Sequence, residues 1–481
     1  MTPDARIAEL EAVVEQQCKN IERLLNADAE LGMRIRELEA RLANASKDSH
    51  NSSKPPSSDG LGRKTRSLRK KSGKKPGGQL GHRGETLRLA PTPDEVVEQW
   101  PGVCAHCHTA LSQDTPLVGR ERRQKMYELP SVRLQIREYQ ALHVRCPACQ
   151  HITCGTFPAE AASRAQYGPR LRAVAVYLVE HQLVPYARVR GLLTDLFGAH
   201  VSPGTLVRWV RHAAQTLEPV EAQIKAALRR AAVLHSDETG VRRTGRLVWA
   251  HVTSTSRLTH YAMHPKRGSA ATEAIGILPT YAGVSVHDGW APYRASTTCR
   301  HALCNIHHLR ELTFLDEQYH QAWAKDLKGL LLDMKAATAQ ARAQRNTTLP
   351  AALWQTFVAR YETFLAAGLA ANPPPERSMR RRGRIKQSPA RNVLERLYFD
   401  QEAVLAFLGD LTIPFDNNQA ERDLRMLKVQ QKVSGSFRSE HGAAAFARIR
   451  GYLSTLGKQG ASLLDALEAL FAGQPLHPSF A

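Results

Sequence analysis

The sequence predicts a multidomain α+β protein, and three observations lead to that class. A heptad repeat of apolar residues runs through residues 1–45. Two C-x-x-C pairs begin at Cys104 and Cys146. Residues 233–304 alternate between strand-like and helix-like segments, and a long helical stretch follows them. Because the chain has 481 residues, against about 100 to 200 for a usual domain, we expect several domains with separate cores.

The chain carries a large positive charge. It has 66 Lys and Arg against 45 Asp and Glu, which gives a net charge of +21 and a pI near 9.9. A polyanionic partner is therefore expected, either nucleic acid or an anionic membrane surface. No apolar run approaches the roughly 18 residues of a membrane span, which favours nucleic acid and no membrane. The N-terminus lacks the basic and apolar regions of a signal peptide, so we expect a cytoplasmic protein.

Residues 1–45 carry the heptad repeat. Nine of its eleven core positions are apolar, with β-branched residues mostly at a and leucine mostly at d, which favours a parallel two-stranded coiled coil. These positions are Ile7, Val14, Ile21, Asp28, Ile35 and Leu42 (a) and Leu10, Gln17, Leu24, Leu31 and Leu38 (d). A single amphipathic helix packed on its own chain is the alternative. We expect the helix to mediate a homodimer or a higher oligomer.

Residues 46–90 hold nearly half of the excess charge. Twelve basic and three acidic side chains give a net charge of +9 there, in a composition rich in Gly, Pro and Ser that cannot form a core. Ten of these cations lie between Arg63 and Arg88, among them Lys70, Lys71, Lys74 and Lys75. The segment is predicted to be a disordered basic tether, either an inert linker or an arm that binds DNA.

Residues 91–160 contain two paired cysteines. The pairs are Cys104 with Cys107 and Cys146 with Cys149, with 38 residues between them. In a reducing compartment such pairs indicate metal binding, and four thiolates make a closed tetrahedral zinc site that stabilises a small fold. Val132, Leu134 and Ile136 alternate with polar residues and predict a hairpin between the pairs. We therefore expect a ribbon-like module with structural Zn²⁺, and free thiols are the alternative.

Residues 161–225 are predicted to form a helical DNA-binding domain. Two helices are joined through Phe197-Gly198, and the second restarts at Ser202-Pro203, an N-cap followed by proline at the first helical position. This pattern favours a helix-turn-helix, whose last helix directs Arg208 and Arg211 outward toward base edges or phosphates. A plain helical bundle with an exposed arginine face is the alternative.

Residues 226–440 contain a candidate catalytic domain. Three strands, a helix and two further strands describe the core of a ribonuclease-H-like sheet. Asp237 and Asp288 are predicted to end the first and fourth strands, at the carboxyl edge of the sheet, although aspartates in surface turns are also common. Residues 306–410 predict a large helical insertion, and residues 441–481 a short helical C-terminal domain.

The helix predicted around Glu421 presents two faces. Its polar face holds Glu421, Arg425, Lys428 and Lys432, and its buried face holds Ala420, Leu424 and Leu427. A surface helix with an ion pair between Glu421 and Arg425 is one interpretation. The other is a metal site, because two Mg²⁺ ions about 3.5 to 4 Å apart need at least three carboxylates. In that case Glu421 completes the set, and the three cations face DNA phosphates.

Several sequence motifs, which occur in the same order as in a known family, make a resemblance to that family specific. They are NSSKPPSSDG and KKPGGQLGHRG, the two cysteine pairs, SDETG, HDGWAPY, CNIHHLREL and PFDNNQAERDLRMLKVQQKVSGSFRSEHGAAAFARI. Along almost its entire length the chain resembles the bacterial insertion-sequence-66 family of DDE transposases. The resemblance implies Asp237, Asp288 and Glu421 as a metal-binding triad in a ribonuclease-H fold with a helical insertion. The 133 positions between Asp288 and Glu421 accommodate that insertion.

The resemblance also implies roles for three further residues. Cys304 with His307 resembles the C-x-x-H signature that some DDE superfamilies carry before their insertion, and a buried cysteine with a packed histidine is the alternative. Lys428 resembles the basic residue with which other DDE enzymes hold DNA near the scissile phosphate.

The implied function is that of a transposase. It would bind terminal inverted repeats and catalyse Mg²⁺-dependent end cleavage and strand transfer into target DNA. The expected setting is the nucleoid, with accessory proteins of the same element as possible partners. Two other classes share the same features: a non-catalytic dimeric zinc-containing DNA-binding regulator, and a ribonuclease-H-type nuclease or resolvase.

Overall fold

The structure is a computed structural model that describes residues 3–52, 81, 91–123, 132–158, 161, 163–164, 166–374 and 387–480. Most of the predicted tether, with Lys70, Lys71, Lys74 and Lys75, lies outside the described residues. Within the described part, no helix combines the length and the apolar character that crossing a membrane requires.

The N-terminal helix α1 (Pro3–Ala45) is long and largely exposed. Its described apolar heptad residues, from Leu10 to Leu42, all face solvent. Among its described side chains, those at the carboxyl end pack on the rest of the chain. Ala43 is buried, and just beyond the helix the Lys47 ammonium lies 4.6 Å from the centre of the Phe314 ring. Residues 46–52, assigned to the tether from sequence, therefore pack against the folded chain.

The cysteine pairs form two separate turns. Strand β1 (His143–Arg145) pairs antiparallel with β2 (Ile152–Cys154) on either side of the second turn. The first turn is closed by a bridge between Val103 and Ala110. The predicted hairpin between the pairs is wrong for the described residues 132–142, which form no strand before β1. Ile136 is 94% exposed there, so the alternating pattern has no layer to pack against.

Four helices form the next unit. They are α2 (Pro169–Val176), α3 (Tyr186–Phe197), α4 (Pro203–Thr216) and α5 (Glu218–Arg229), and α2 runs into a π-helical turn at Tyr177–His181. Gly198 ends α3 with a φ of +67°, which glycine adopts without strain. The Ser202 side chain then accepts a hydrogen bond from the Thr205 N–H and starts α4, as predicted.

A mixed five-stranded sheet lies at the centre of the chain. Its strands are β3 (Val233–Arg243), β4 (Arg246–Ser254), β5 (Thr259–His264), β6 (Val284–His287) and β7 (Arg300–Leu303). Their order across the sheet is β5-β4-β3-β6-β7. The first three strands form an antiparallel meander, and β6 and β7 extend it in parallel with β3. Between β5 and β6 lies α6 (Ser269–Ile275), and between β6 and β7 lies α7 (Ala291–Arg294).

The described part of the predicted insertion is helical. Its helices are α8 (Asn305–Tyr319), α9 (Ala322–Ala343), α10 (Ala351–Ala371), α11 (Pro389–Phe399), α12 (Gln401–Val404) and α13 (Ala406–Gly409). They share one core with β6 and β7, and Ala43 of α1 joins this core. The insertion therefore packs directly on the parallel edge of the sheet.

Three helices complete the chain: α14 (Asn418–Ser434), α15 (Glu440–Lys458) and α16 (Leu463–Phe471). α15 lies against β5, where a Cβ on Gly451 would stand 3.2 Å from the Thr259 carbonyl oxygen. α16 packs on α2, and Leu467 and Leu470 share a core with α4 residues such as Leu206. Residues 441–481 thus share the core of residues 161–225 instead of forming a separate domain.

Candidate active site

Two aspartates come together where the parallel pairing of β3 and β6 ends. His235 lies opposite Val286 in this pair of strands, so Asp237 and Asp288 follow two residues later on each side. β3 continues to Arg243, because its hairpin with β4 extends it past the end of β6. Asp237 therefore lies in the middle of its strand. The prediction that it ends the strand is wrong. Asp288 directly follows β6, as predicted.

Glu421 approaches this edge from the first turn of α14. The helix lies on β3 and β4 through Ala420, Leu424 and Leu427, which are buried as predicted. Glu421 is half-buried, and its Oε1 atom is fully buried without a hydrogen-bond partner. Among the ion pairs of the described residues, none joins Glu421 to Arg425. The surface ion-pair interpretation of this helix is therefore not supported.

The three carboxylates influence one another electrostatically. Burial raises the pKa of Asp237 well above its usual value, and the negative charges of Glu238, Asp288 and Glu421 raise it further. Such repulsion between acidic groups in a partly buried position is relieved by a bound cation. The unpartnered Glu421 Oε1 also needs a positive partner, because an unpaired buried carboxylate oxygen is costly. The chemistry of the donor set therefore fits divalent cations.

Asn417 connects β3, which carries Asp237, with the end of β7 and with the start of α14, which carries Glu421. Its side-chain amide donates to the Ser236 carbonyl oxygen at 2.9 Å, and its Oδ1 accepts from His235 Nδ1 at 2.9 Å. Its backbone N–H donates to Cys304 Sγ at 3.2 Å. Sequence analysis missed this residue, although an asparagine just before a helix is a known signal. That signal predicts an N-cap, whereas the Asn417 side chain bonds β3 instead of capping α14.

Glu238, beside Asp237, is already satisfied. Arg267 donates to its Oε1 from Nε at 2.9 Å and from Nη2 at 2.6 Å, and the Tyr293 hydroxyl donates to its Oε2. The Arg267 guanidinium lies 4.1 Å from the centre of the Trp290 ring. Both carboxylate oxygens of Glu238 therefore have partners, and the residue links Arg267 to Tyr293. Asp237, and not Glu238, is the carboxylate available to bind a metal ion. Neither Glu238 nor Arg267 was identified from sequence.

The family model described as "Transposase IS66 family" matches residues 164–445. The chain belongs to the IS66 family of transposases. A second family model, DUF6444, described as a family of unknown function, matches residues 2–88. A search of the curated proteins found no match. As a transposase, the protein is an enzyme that acts on DNA.

In this IS66 transposase, Cys304 and His307 lie beside Glu421. Cys304 is buried between the end of β7 and the start of α8, and burial raises the pKa of its thiol to about 12. The His307 Nδ1 atom is buried without a hydrogen-bond partner, and burial lowers the pKa of the ring. One ligand atom from each of Cys304, His307 and Glu421 lies within 4.8 Å of the other two.

The cations on α14 of the transposase differ in their surroundings. Arg425 and Lys432 are exposed. The Lys428 ammonium instead donates to the Gly240 carbonyl oxygen at 2.7 Å, and burial lowers its pKa. Lys428 therefore ties α14 to β3, a contact that the sequence pattern did not reveal. On α4, Arg208 and Arg211 are exposed as predicted, while Trp209 is buried.

The cysteine pairs show local features of metal-binding turns. The Cys107 Sγ lies 3.2 Å from the Thr109 hydroxyl, which lowers the pKa of the thiol to about 7. The backbone N–H groups of Cys149 and Ala148 lower the pKa of Cys146. Within the described residues, the group of metal-ligand side chains that lies within 4.8 Å does not include these pairs. The structure therefore does not bring Cys104, Cys107, Cys146 and Cys149 into one site.

Proposed function

We propose that this transposase cleaves the ends of its element and joins them to target DNA with Asp237, Asp288 and Glu421 as the metal-binding catalytic triad. The observation that carries the proposal is the buried, unpartnered Glu421 Oε1 on the helix that packs on β3, the strand of Asp237. The strand order and directions support a ribonuclease-H-like interpretation of the sheet, with a helical insertion before the third carboxylate.

The three carboxylates would hold two Mg²⁺ ions. When bound, these ions would supply activation of the attacking water and stabilisation of the departing 3′ oxygen. A bound cation would offset the burial and the repulsion that raise the pKa of Asp237, and so would favour its carboxylate form. Asn417 holds β3, the end of β7 and the start of α14 in fixed relation, which keeps Glu421 near the two aspartates.

DNA would contact two exposed basic surfaces. Arg425 and Lys432 are exposed on α14, further along the helix than Glu421, and Arg208 and Arg211 are exposed on α4. Lys428 has donors left beyond its bond to Gly240, so a phosphate contact there is compatible with its position. The basic tether would add contacts without sequence demands. These surfaces would bind the terminal inverted repeats and the target.

The N-terminal part of the chain would contribute zinc binding and dimerisation. The four cysteines of the two turns would bind one structural Zn²⁺ only if the turns, which the structure does not bring into one site, came together. The exposed heptad face of α1 would dimerise, which pairs two transposon ends in one complex. Accessory proteins of the same element remain possible partners.

The test is an assay on cloned transposon ends with Mg²⁺. We expect the Asp237→Asn variant to lose cleavage and strand transfer by at least about a thousandfold while binding the ends with unchanged affinity. The control is Asp333→Asn, which changes an exposed aspartate on α9 and should leave cleavage intact. Cleavage that survives in Asp237→Asn would rule out the triad.

A further inference from the structure

A second set of ligand atoms lies beside the proposed triad. Cys304, His307 and Glu421 lie on three neighbouring segments of the chain. Cys304 follows β7, His307 is in the first turn of α8, and Glu421 is in the first turn of α14. Their ligand atoms lie within 4.8 Å of one another. Ligands of a tetrahedral zinc ion stand roughly 3 to 4 Å apart, given bonds of about 2.0 to 2.3 Å. Small side-chain rotations would therefore close the set around one ion.

Two of these three residues carry a buried polar atom without a partner. The Nδ1 of His307 and the Oε1 of Glu421 are both shielded from solvent, and neither makes a hydrogen bond. A buried nitrogen and a buried carboxylate oxygen without partners are costly, and the two residues that carry them belong to the same ligand cluster. A shared cation would satisfy both.

The sulfur is held in the manner of a metal ligand. Cys304 Sγ accepts the backbone N–H of Asn417 at 3.2 Å, and N–H groups directed at a sulfur are a common outer contact of bound thiolates. The Cys304 backbone N–H is itself bonded to the His287 carbonyl oxygen at 2.9 Å, which fixes the residue at the end of β7. The position of the sulfur is therefore set from both sides.

From this arrangement we infer that Cys304, His307 and Glu421 form a second metal site, for a zinc-class transition-metal ion, next to the proposed triad. Sulfur and imidazole ligands select such ions, whereas Mg²⁺ prefers oxygen ligands only. Binding replaces the thiol proton of Cys304, which passes to solvent, by a bond from sulfur to the metal. Three protein ligands leave a fourth position open. The inference shares Glu421 with the proposed triad, and to that extent it rests on the proposed function.

The site is tested on the full chain with ¹¹³Cd²⁺ as the probe. Cadmium resonances separate sites with one thiolate ligand from sites with four, so the cysteine turns do not obscure the result. We expect a one-thiolate resonance in the wild type and its loss in Cys304→Ala and in His307→Ala. The matched control is Cys299→Ala, which removes another buried cysteine, whose Sγ donates to the Ser296 carbonyl oxygen at 3.8 Å.

The Asp237→Asn variant separates this inference from the proposed function. It should keep the one-thiolate resonance and lose Mg²⁺-dependent cleavage. Bound zinc after dialysis provides a second measurement, with about one more equivalent per chain in the wild type than in Cys304→Ala. The absence of the resonance in the wild type, or its persistence in Cys304→Ala, overturns the site and leaves the triad untouched. A resonance that behaves as expected in a wild type without Mg²⁺-dependent cleavage overturns the triad instead.

Discussion

The side chain of Asn417 fixes the start of α14 against β3. Its amide has both of its functional ends bonded to β3, and its backbone N–H is bonded to Cys304. The residue is almost fully buried, so water cannot replace these bonds. Asn417 therefore acts as a positioning residue for Glu421, four residues further along the chain.

We expect Asn417→Ala to lower the free energy of unfolding by roughly 1 to 3 kcal/mol, because the buried partners on β3 lose their hydrogen bonds. End cleavage should fall about 10- to 100-fold while DNA affinity is kept, since a displaced carboxylate affects the reaction and not the binding. Thermal unfolding and the cleavage assay measure the two effects. The control is the neighbouring Asn418→Ala, whose side chain makes no recorded bond in the described structure. Equal losses in both variants would contradict the role of Asn417.

Glu180 is a buried acid within the π-helical turn after α2. Burial raises the pKa of its carboxyl to about 8, and the nearby Arg450 charge lowers the pKa only in part. Its Oε2 atom has no hydrogen-bond partner. Between the unfolded pKa and about 8, the folded chain holds a proton that the unfolded chain has lost. Stability therefore falls as pH rises through this window.

We expect Glu180→Gln to remove this pH dependence. At pH 8 the variant should be more stable than the wild type by on the order of a few kcal/mol, and at about pH 5 the difference should be small. Denaturant unfolding at both pH values measures it. The matched change Glu218→Gln, at an exposed position on α5, should leave the slope unaltered. Parallel pH profiles for the wild type and Glu180→Gln would contradict the assignment.

At the scale of elements, α14 and α1 illustrate what an apolar pattern can and cannot predict. The buried stripe of α14 follows the predicted helical period, because a helix on a sheet must direct one face inward. The same rule predicts the apolar seam of α1, but its described heptad residues are exposed. A long apolar seam facing water is a typical feature of a helix that pairs with a second copy.

The seam of α1 can be tested by a matched pair of substitutions. Leu31, 61% exposed, lies at d, and Met33, 59% exposed, lies at f on the opposite side. We expect Leu31→Lys to shift the chain toward a monomer, because each leucine of the seam contributes roughly 2 kcal/mol by burial. Met33→Lys should leave the oligomer intact. Light scattering after size-exclusion chromatography measures the mass, and a wild-type monomer at all concentrations would refute the coiled coil.

At the scale of the whole molecule, the first helices of the family region share a core with the last helices of the chain. α16 packs on α2, and α15 lies between α4 and β5. The helices that are proposed to bind DNA therefore depend on the last helices of the described chain. A substitution in the core of α16 should therefore destabilise α4, although the two helices are far apart in sequence.

We expect Leu467→Ala to lower the free energy of unfolding by about 2 to 5 kcal/mol, because the side chain is fully buried and leaves a cavity. Limited proteolysis should then cut within α2 to α4 sooner than in the wild type. The control is Leu476→Ala, at a position that is 45% exposed, which should change stability little. Unchanged protection of α2 to α4 in Leu467→Ala would show that the units are independent.

The sequence by itself determined the IS66 family, the helical periods of α1, α4 and α14, and the carboxylates proposed as ligands. These features are local or periodic, so neighbouring residues specify them. Only the tertiary structure decided the role of Asn417, the partners of Glu238 and Lys428, and the closeness of Cys304, His307 and Glu421. Each of these contacts joins strands and helices that are distant in the chain, and their meeting depends on how the layers pack. The shared core of α16 and α2 has the same origin, because an apolar face indicates that a partner is needed but not which one.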